Sequence, residues 1–333
     1  MSKSVVNHSH GWTIPMKPPQ IPPMAANFLG IEIGGTKLQI VAGDARKVQT
    51  RHRFEVDRLG GGAAIRGQIE GAIRPLFSAS PPLAVGVGFG GPVDWRTGRI
   101  CCSHQVEGWS GFELGQWLRT LTGVPVRVDN DANMGALGEA TRGAGIGFDP
   151  VFYVTLGSGV GGGLVVEGKI YHGAKPGEAE IGHLRLDRRG SSLESRCSGW
   201  AVDAKIRKLK TSGSSSLLSQ LTRGAEGGEA RHLARALEEK DSSAHLILKE
   251  TAEDLAFGLS HVTHLFHPEL IVLGGGLSLV GEPLRLAVAQ ALPEFTMEAF
   301  AGGPQVRLAG LGEDAVPAGC LIAAQQLAEP IAS

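Results

Sequence analysis

The sequence predicts an α/β protein made of two related halves. Strand-like apolar runs alternate with segments of helical periodicity along most of the chain, the pattern of a layered α/β architecture. A strand, glycine turn, strand unit also occurs twice. It appears first as Phe-Leu-Gly-Ile-Glu-Ile from Phe28, Gly34-Gly35-Thr36-Lys37, and Leu38-Gln39-Ile40-Val41. It returns as Val151 to Leu156, Gly157-Ser158-Gly159-Val160-Gly161-Gly162-Gly163, and Leu164-Val165-Val166. A unit repeated once in each half of a 333-residue chain points to a duplicated, two-domain organisation.

The elements follow in order. Residues 1–26 hold Pro15, Pro18, Pro19, Pro22 and Pro23 without a periodic apolar pattern, and are expected to form a disordered extension. After the first glycine unit come a helix near Ala63 to Phe77, a buried-type strand from Leu83 to Gly88, and a helix near Phe112 to Thr122. The strand Pro125-Val126-Arg127-Val128 then runs into a helix near Asn133 to Thr141. Beyond the second unit a polar stretch around Ser212 to Ser216 and Gly224 to Gly228 surrounds short helices. A long helix from about Ser243 to His267 feeds the strand Glu269 to Leu273 and a third turn, Gly274-Gly275-Gly276. The expected division is 27–133 with a returning C-terminal helix at 315–330, and 134–314.

Composition excludes several classes of partner. With 32 basic and 33 acidic residues the formal net charge is −1, and no basic stripe with interleaved aromatics occurs, so no nucleic acid partner is expected. The short run Lys205 to Lys210 reads as a solvated helix face. No apolar run reaches membrane-spanning length and no signal-peptide pattern opens the chain, so neither membrane nor export is expected. The four cysteines form no C-x-x-C pair or disulfide framework, which suits a reducing cytoplasm. His261, His264 and His267 recur at three-residue steps without a cysteine or carboxylate to complete a metal set, and read as partly exposed structural residues.

Glycine, at 49 residues, stands well above its usual share. The dinucleotide fingerprint G-x-G-x-x-G matches at Gly86-Gly88-Gly91 and at Gly157-Gly159-Gly162, but neither match opens a helix that could receive a pyrophosphate, and no Walker-type loop exists. Two readings of the glycine units stay open. They are ordinary hairpin turns, or they are nests of backbone amides facing each other across a cleft and holding phosphates. Two readings likewise exist for Asn130-Asp131, which joins a strand to a helix: a helix N-cap, or a cleft carboxylate able to accept a proton.

The ordered set Glu32 to Lys37, Asn130-Asp131-Ala132-Asn133, Leu156 to Gly163, Glu180-Ile181-Gly182-His183 and Leu273 to Gly276 resembles the ROK family of sugar kinases and repressors, from about Phe28 to Gln326. The resemblance implies an α/β, two-domain actin-like fold, hexokinase-type and ribonuclease H-like, with an interdomain cleft closing over ATP and a hexose-like sugar. It makes Asp131 the general base. It gives the phosphates and nucleotide to Gly34, Gly35, Thr36, Lys37, Gly157, Ser158, Gly159, Gly274 and Gly275, and the sugar to Gln105, Asn130, Asp131, Glu180 and His183. Glu32, where aspartate is commoner, would meet Mg²⁺ through water. A homodimer is implied as well. Repressors of the family carry a winged helix ahead of the core, whereas here only the Pro-rich segment precedes it, which favours the kinase branch. The alternative is a kinase-like sugar sensor without turnover.

The family's zinc site joins the histidine at His183 to three cysteines in a C-x-C-G-x-x-G-C pattern. The corresponding stretch, Leu193 to Trp200, offers only Cys197, out of register. No zinc is expected, and Leu193 with Trp200 is expected to plug the loop instead. Ser103-His104-Gln105-Val106 and Lys175-Pro176 also depart from the family pattern where sugar specificity is set, so the identity of the sugar is not fixed by the motifs.

Overall fold

The structure is a computed structural model that describes residues 28–35, 37–56, 59–79, 81–103, 106–177, 179–211 and 215–329. The N-terminal extension, Thr36 and Gln105 lie outside the described residues. The first half contains β1 (Phe28–Ile33), β2 (Lys37–Gly43), β3 (Val48–Glu55), α1 (Gly61–Ala79), β4 (Ala84–Phe89), β5 (Val93–Asp94), β6 (Arg99–Ile100), α2 (Leu114–Thr122), β7 (Val126–Asn130) and α3 (Asp131–Arg142). The second opens with β8 (Val151–Leu156), β9 (Val160–Val166) and β10 (Lys169–Ile170), then α4 (Leu193–Cys197), α5 (Gly199–Thr211), α6 (Leu217–Leu221), α7 (Leu233–Glu238) and α8 (Ser242–Phe266). It ends with β11 (Leu270–Gly274), α9 (Glu282–Phe295), β12 (Gln305–Leu308) and α10 (Ala315–Ala328).

The duplication read from the glycine units extends to whole sheets. One sheet has the order β3-β2-β1-β4-β7 and the other β10-β9-β8-β11-β12, so the strands take equivalent places in both. In each, the strands flanking the glycine turn pair antiparallel, and the later strands add parallel to the unit's first strand. The central parallel strands β4 and β11 are buried along their whole length, which is why they read as continuous apolar runs. Each sheet has a core of its own, one centred on Ile31, Ile69 and Val87, the other on Phe152, Leu255 and Leu273.

Helices α3 and α10 fill the space between the sheets and account for part of the glycine excess. A Cβ on Gly319 would lie 1.8 Å from the Met134 carbonyl oxygen, and one on Gly138 would lie 2.2 Å from that of Ala315. The two backbones meet with no room for a side chain. Gly86 and Gly88, which formed the false dinucleotide match, sit within β4 under α10 at Cys320 and Val316. They are packing glycines rather than a phosphate loop.

Two local expectations are corrected. The basic run on α5 is only in part a solvated face: Lys208 is exposed, but Lys205 donates to Thr251 Oγ1 at 3.0 Å, Arg207 to the buried Glu229 at 2.9 Å, and Lys210 to the carbonyls of Thr222 and Ala225 at 3.2 and 2.9 Å. These cations tie α5 to α8 and to the segment between Thr222 and Glu229. Trp200 does not join Leu193 in a plug, because Leu193 is fully buried beside Cys197 whereas Trp200 stands 61% exposed. The loop after His183 is closed instead by Asp187, which accepts from the amides of Arg189, Gly190 and Ser191, and by a reciprocal cap between Ser192 and Ser195. Among the described residues, no helix is long and apolar enough to cross a membrane.

Candidate active site

The chain fixes Asp131 by assigning the cap to its neighbour. Asn130 Oδ1 accepts from the amides of Ala132 at 2.8 Å and Asn133 at 3.4 Å, making Asn130 the N-cap of α3, and its Nδ2 donates to the Gly91 carbonyl at 3.2 Å. Asp131, in the first turn, is thereby released from capping. Its Oδ2 lies 3.4 Å from where a Cβ on Gly90 would sit, and the same point is 3.5 Å from Gly34 Cα. The Asp131 carboxylate and the first glycine turn thus both border Gly90. The residue keeps some surface open to the cleft, yet its carboxyl is enclosed. Burial pushes it up to about 7, with Glu32 as the next cause and Glu180 adding to it, while the amides of Ala132 and Asp131 pull the other way.

Glu32, the penultimate residue of β1, lies opposite Gln39 on β2. Its side chain is 11% exposed, with Oε1 3.2 Å from Lys37 Nζ and Oε2 accepting from Gln39 Nε2. Gln39 is fully buried, and its Oε1 has no partner among the described residues. The first turn is closed by the Gly34 amide donating to the Lys37 carbonyl at 2.8 Å.

Across the cleft, the Gly157 amide donates to the Gly159 carbonyl at 2.9 Å and the Gly199 amide to the Gly157 carbonyl at 2.7 Å. Glu194 braces this turn by accepting from the Val160 amide at 2.9 Å, and a Cβ on Gly159 would collide with its carboxylate at 2.4 Å. Gly275, at φ +79°, backs onto Leu156, and Gly274 onto Tyr153. Gly157, Ser158 and Gly276 border a cavity of about 500 Å³, which continues between Trp200 and Leu279. Gly274 and Gly275 thus form the support of that wall, and Gly276 its surface.

Glu180 and His183 bracket a single 3-10 turn, their side chains 3.9 Å apart and open to solvent, His183 being 79% exposed. Behind them stands a cluster that the motifs did not single out. Buried Asp129 accepts from the Asn130 amide at 3.0 Å and from Asn133 Nδ2 at 2.9 Å, and its Oδ2 is 2.6 Å from His172 Nε2. His172 stacks on Trp95, centroids 4.2 Å apart, and Lys175 donates to Asp94 at 2.7 Å. The loop after β10 is thereby tied to the first half of the chain next to Asn130. The one sequence signal for it was the unusual Lys175-Pro176.

Comparison with known proteins agrees with this architecture. The ROK family model matches residues 28–327. The chain is 32% identical over 304 residues to a glucokinase of Halalkalibacterium halodurans, covering 86% of this chain and 92% of that protein. It is 31% identical over 298 residues to a glucokinase of Thermotoga maritima, covering 86% and 94%. Its fold superposes with a TM-score of 0.76 and 28% identity on a ROK family glucokinase from Streptomyces griseus in complex with glucose and AMPPNP, covering 90% of this chain and 99% of that one. The duplicated sheets, the paired glycine turns and the match over nearly all described residues lead to one assignment: the chain belongs to the ROK family and has its two-domain actin-like fold.

Proposed function

We propose that this sugar kinase transfers the γ-phosphoryl of ATP to a hydroxyl of a hexose, with Asp131 taking the hydroxyl proton. The observation that carries the reading is the Asp131 carboxyl itself. It is free of the helix cap, lies beside the Gly34 turn, and is raised to about 7, where a carboxylate is basic enough to accept a proton and still ionises near neutral pH. In this reading the amides of Gly34 to Lys37, Thr36 included, meet the transferring phosphate, and Gly157, Ser158 and Gly159 hold the phosphate chain from the other side. Gly274 and Gly275 support the wall beside adenosine. Glu180, His183 and the second Nδ2 hydrogen of Asn130 supply polar partners for the ring hydroxyls, with Gln105 joining from its loop. A homodimer, as the family resemblance implies, and a cytoplasmic location, which the cysteine usage suits, belong to the same proposal.

The residues present fit a hydrated magnesium ion. Glu32 offers a carboxylate with little exposure, and the orphaned, buried Gln39 Oε1 beside it is an acceptor with no protein donor among the described residues. When bound, Mg²⁺ supplies neutralisation of the phosphate charge. Zinc does not fit. Cys197 is buried, its thiol is pushed up to about 12 chiefly by burial, and it faces the Thr251 carbonyl at 3.5 Å, while Leu193 is core and Ser195 is a cap. Elemental analysis of protein purified without chelator is expected to find no stoichiometric zinc, and one tightly held zinc per chain would contradict this.

A coupled ADP-release assay over a panel of hexoses and N-acetylhexosamines tests the function. Sugar-dependent turnover of at least one panel member is expected. Sugar binding without ADP release would instead establish a sensor.

A further inference from the structure

Among the described residues, Trp200 belongs to none of the hydrophobic cores. A tryptophan that packs into a core is buried, yet this indole is 61% exposed, and it lines the 500 Å³ cavity next to Gly157, Ser158 and Gly199. It is held in place by its neighbours: the Gly199 amide donates to the Gly157 carbonyl at 2.7 Å, and Ser198 Oγ accepts from the Ala201 amide at 3.1 Å, fixing the start of α5. Leu279 borders the same cavity and is 81% exposed, whereas Leu277 and Val280 on either side of it are buried. Two large apolar side chains left in solvent in the lining of one cavity of ligand size form the kind of site that a flat, apolar-faced group fills.

Away from Ser158 in the Gly157 turn, the two charged side chains of that wall, Asp203 and Arg231, already hold backbone groups of the chain. Asp203 accepts through Oδ2 from the Gly228 amide at 3.0 Å and through Oδ1 from the Ala230 amide at 2.7 Å. Arg231 donates from Nε to the Gly228 carbonyl at 2.7 Å and from Nη2 to that of Gly227 at 3.2 Å. A pocket selects strongly between bases when it presents side-chain donors and acceptors to their edges, and weakly when it offers only apolar surface.

We propose that Trp200 is the platform on which the purine of the phosphoryl donor stacks, and that the pocket holds the base by its faces rather than its edge, so that guanine and adenine are accepted alike. The inference rests on the donor being a nucleoside triphosphate. It extends that reading to the residue that binds the base and to the breadth of donors used.

Calorimetric titration of the full chain, in the presence of a sugar that the panel assay has shown to bind, tests it with three probes: AMPPNP, GMPPNP and inorganic tripolyphosphate, each with Mg²⁺. Trp200→Ala is expected to weaken AMPPNP by about tenfold or more, the size of one lost base–aromatic stack, and to leave tripolyphosphate unchanged. Trp200→Phe should regain most of the loss, and wild-type protein should bind GMPPNP within about tenfold of AMPPNP. Unchanged AMPPNP affinity in Trp200→Ala would overturn the proposal, as would a wild-type preference for AMPPNP of about a thousandfold or more. Equal losses for tripolyphosphate and AMPPNP would also overturn it, because the substitution would then have acted on the Gly157 turn and not on the base. Wild-type protein that binds tripolyphosphate but neither nucleotide would instead overturn the reading of the donor, and this proposal with it.

Discussion

Asp131→Asn is expected to lower kcat by about 10²-fold or more, the loss that follows removal of a general base, while sugar affinity changes far less. The same substitution should make the protein more stable at alkaline pH. Folding raises the carboxyl from its ordinary 3.8 to about 7, so the folded state binds the proton more tightly than the unfolded one. Ionising Asp131 therefore costs nothing below pH 4, costs progressively more between 4 and 7, and costs its full amount above 7. Three pH units correspond to an upper bound of about 4 kcal/mol. Asparagine carries no such cost. Thermal melts at pH 8 should show the variant above wild type, and the gap should close by pH 4. In wild type the sign of the activity profile is opposite: kcat/KM should fall as pH drops below about 7, because the base becomes protonated. Normal turnover in the variant, or an activity profile flat from pH 6 to 8, would remove Asp131 from this role.

Glu139→Ala is expected to be the costliest substitution for stability. Glu139 is fully buried near the end of α3, where Oε2 accepts from the amides of Ala144 and Gly310, both at 2.9 Å, and Oε1 from the amide of Leu311 at 2.8 Å. One carboxylate thus joins the end of the helix that begins at Asp131 to the segment leading into α10. Truncation leaves three amides without their acceptor and opens a space in a tightly packed junction, for a loss of about 2–4 kcal/mol. Differential scanning calorimetry should show a Tm lower by about 5 °C or more. Glu139→Gln, which keeps two acceptor lone pairs in place, should lose less. A melting temperature unchanged in Glu139→Ala would mean that water replaces the carboxylate at no cost.

The parts of this molecule legible in the sequence are those where local chemistry repeats or recurs at fixed spacing. Both glycine units, the continuous apolar strands β4 and β11 and the strand-to-helix junction at Asn130-Asp131 carry their own signature, because a tight turn demands glycine and a two-sided burial demands an unbroken apolar run. What escaped depends on residues far apart in the chain. His172 meets Asp129 across 43 positions and Trp95 across a greater separation, and neither has a pattern around it that announces the contact. The cations of α5 look like a surface run until the loop carrying Glu229 folds under them. Trp200 was misplaced for the opposite reason: tryptophan is usually read as core, and here the exposed indole borders a cavity that only the fold creates.

The crossing of α3 and α10 has a consequence for how the chain comes apart. Helix α3 grows out of β7 in the first sheet but lies against β8 and β9 of the second, while α10 follows β12 of the second sheet and covers β1 and β4 of the first. Each half lends the other the helix that shields its sheet. If either half opened alone, it would strip the apolar face of its neighbour as well as its own, so the free energy of partial opening approaches that of losing the whole structure. The two sheets are separate in architecture and joined in cooperativity, and the seam that makes them so is the same pair of glycine-lined helices that begins at Asp131.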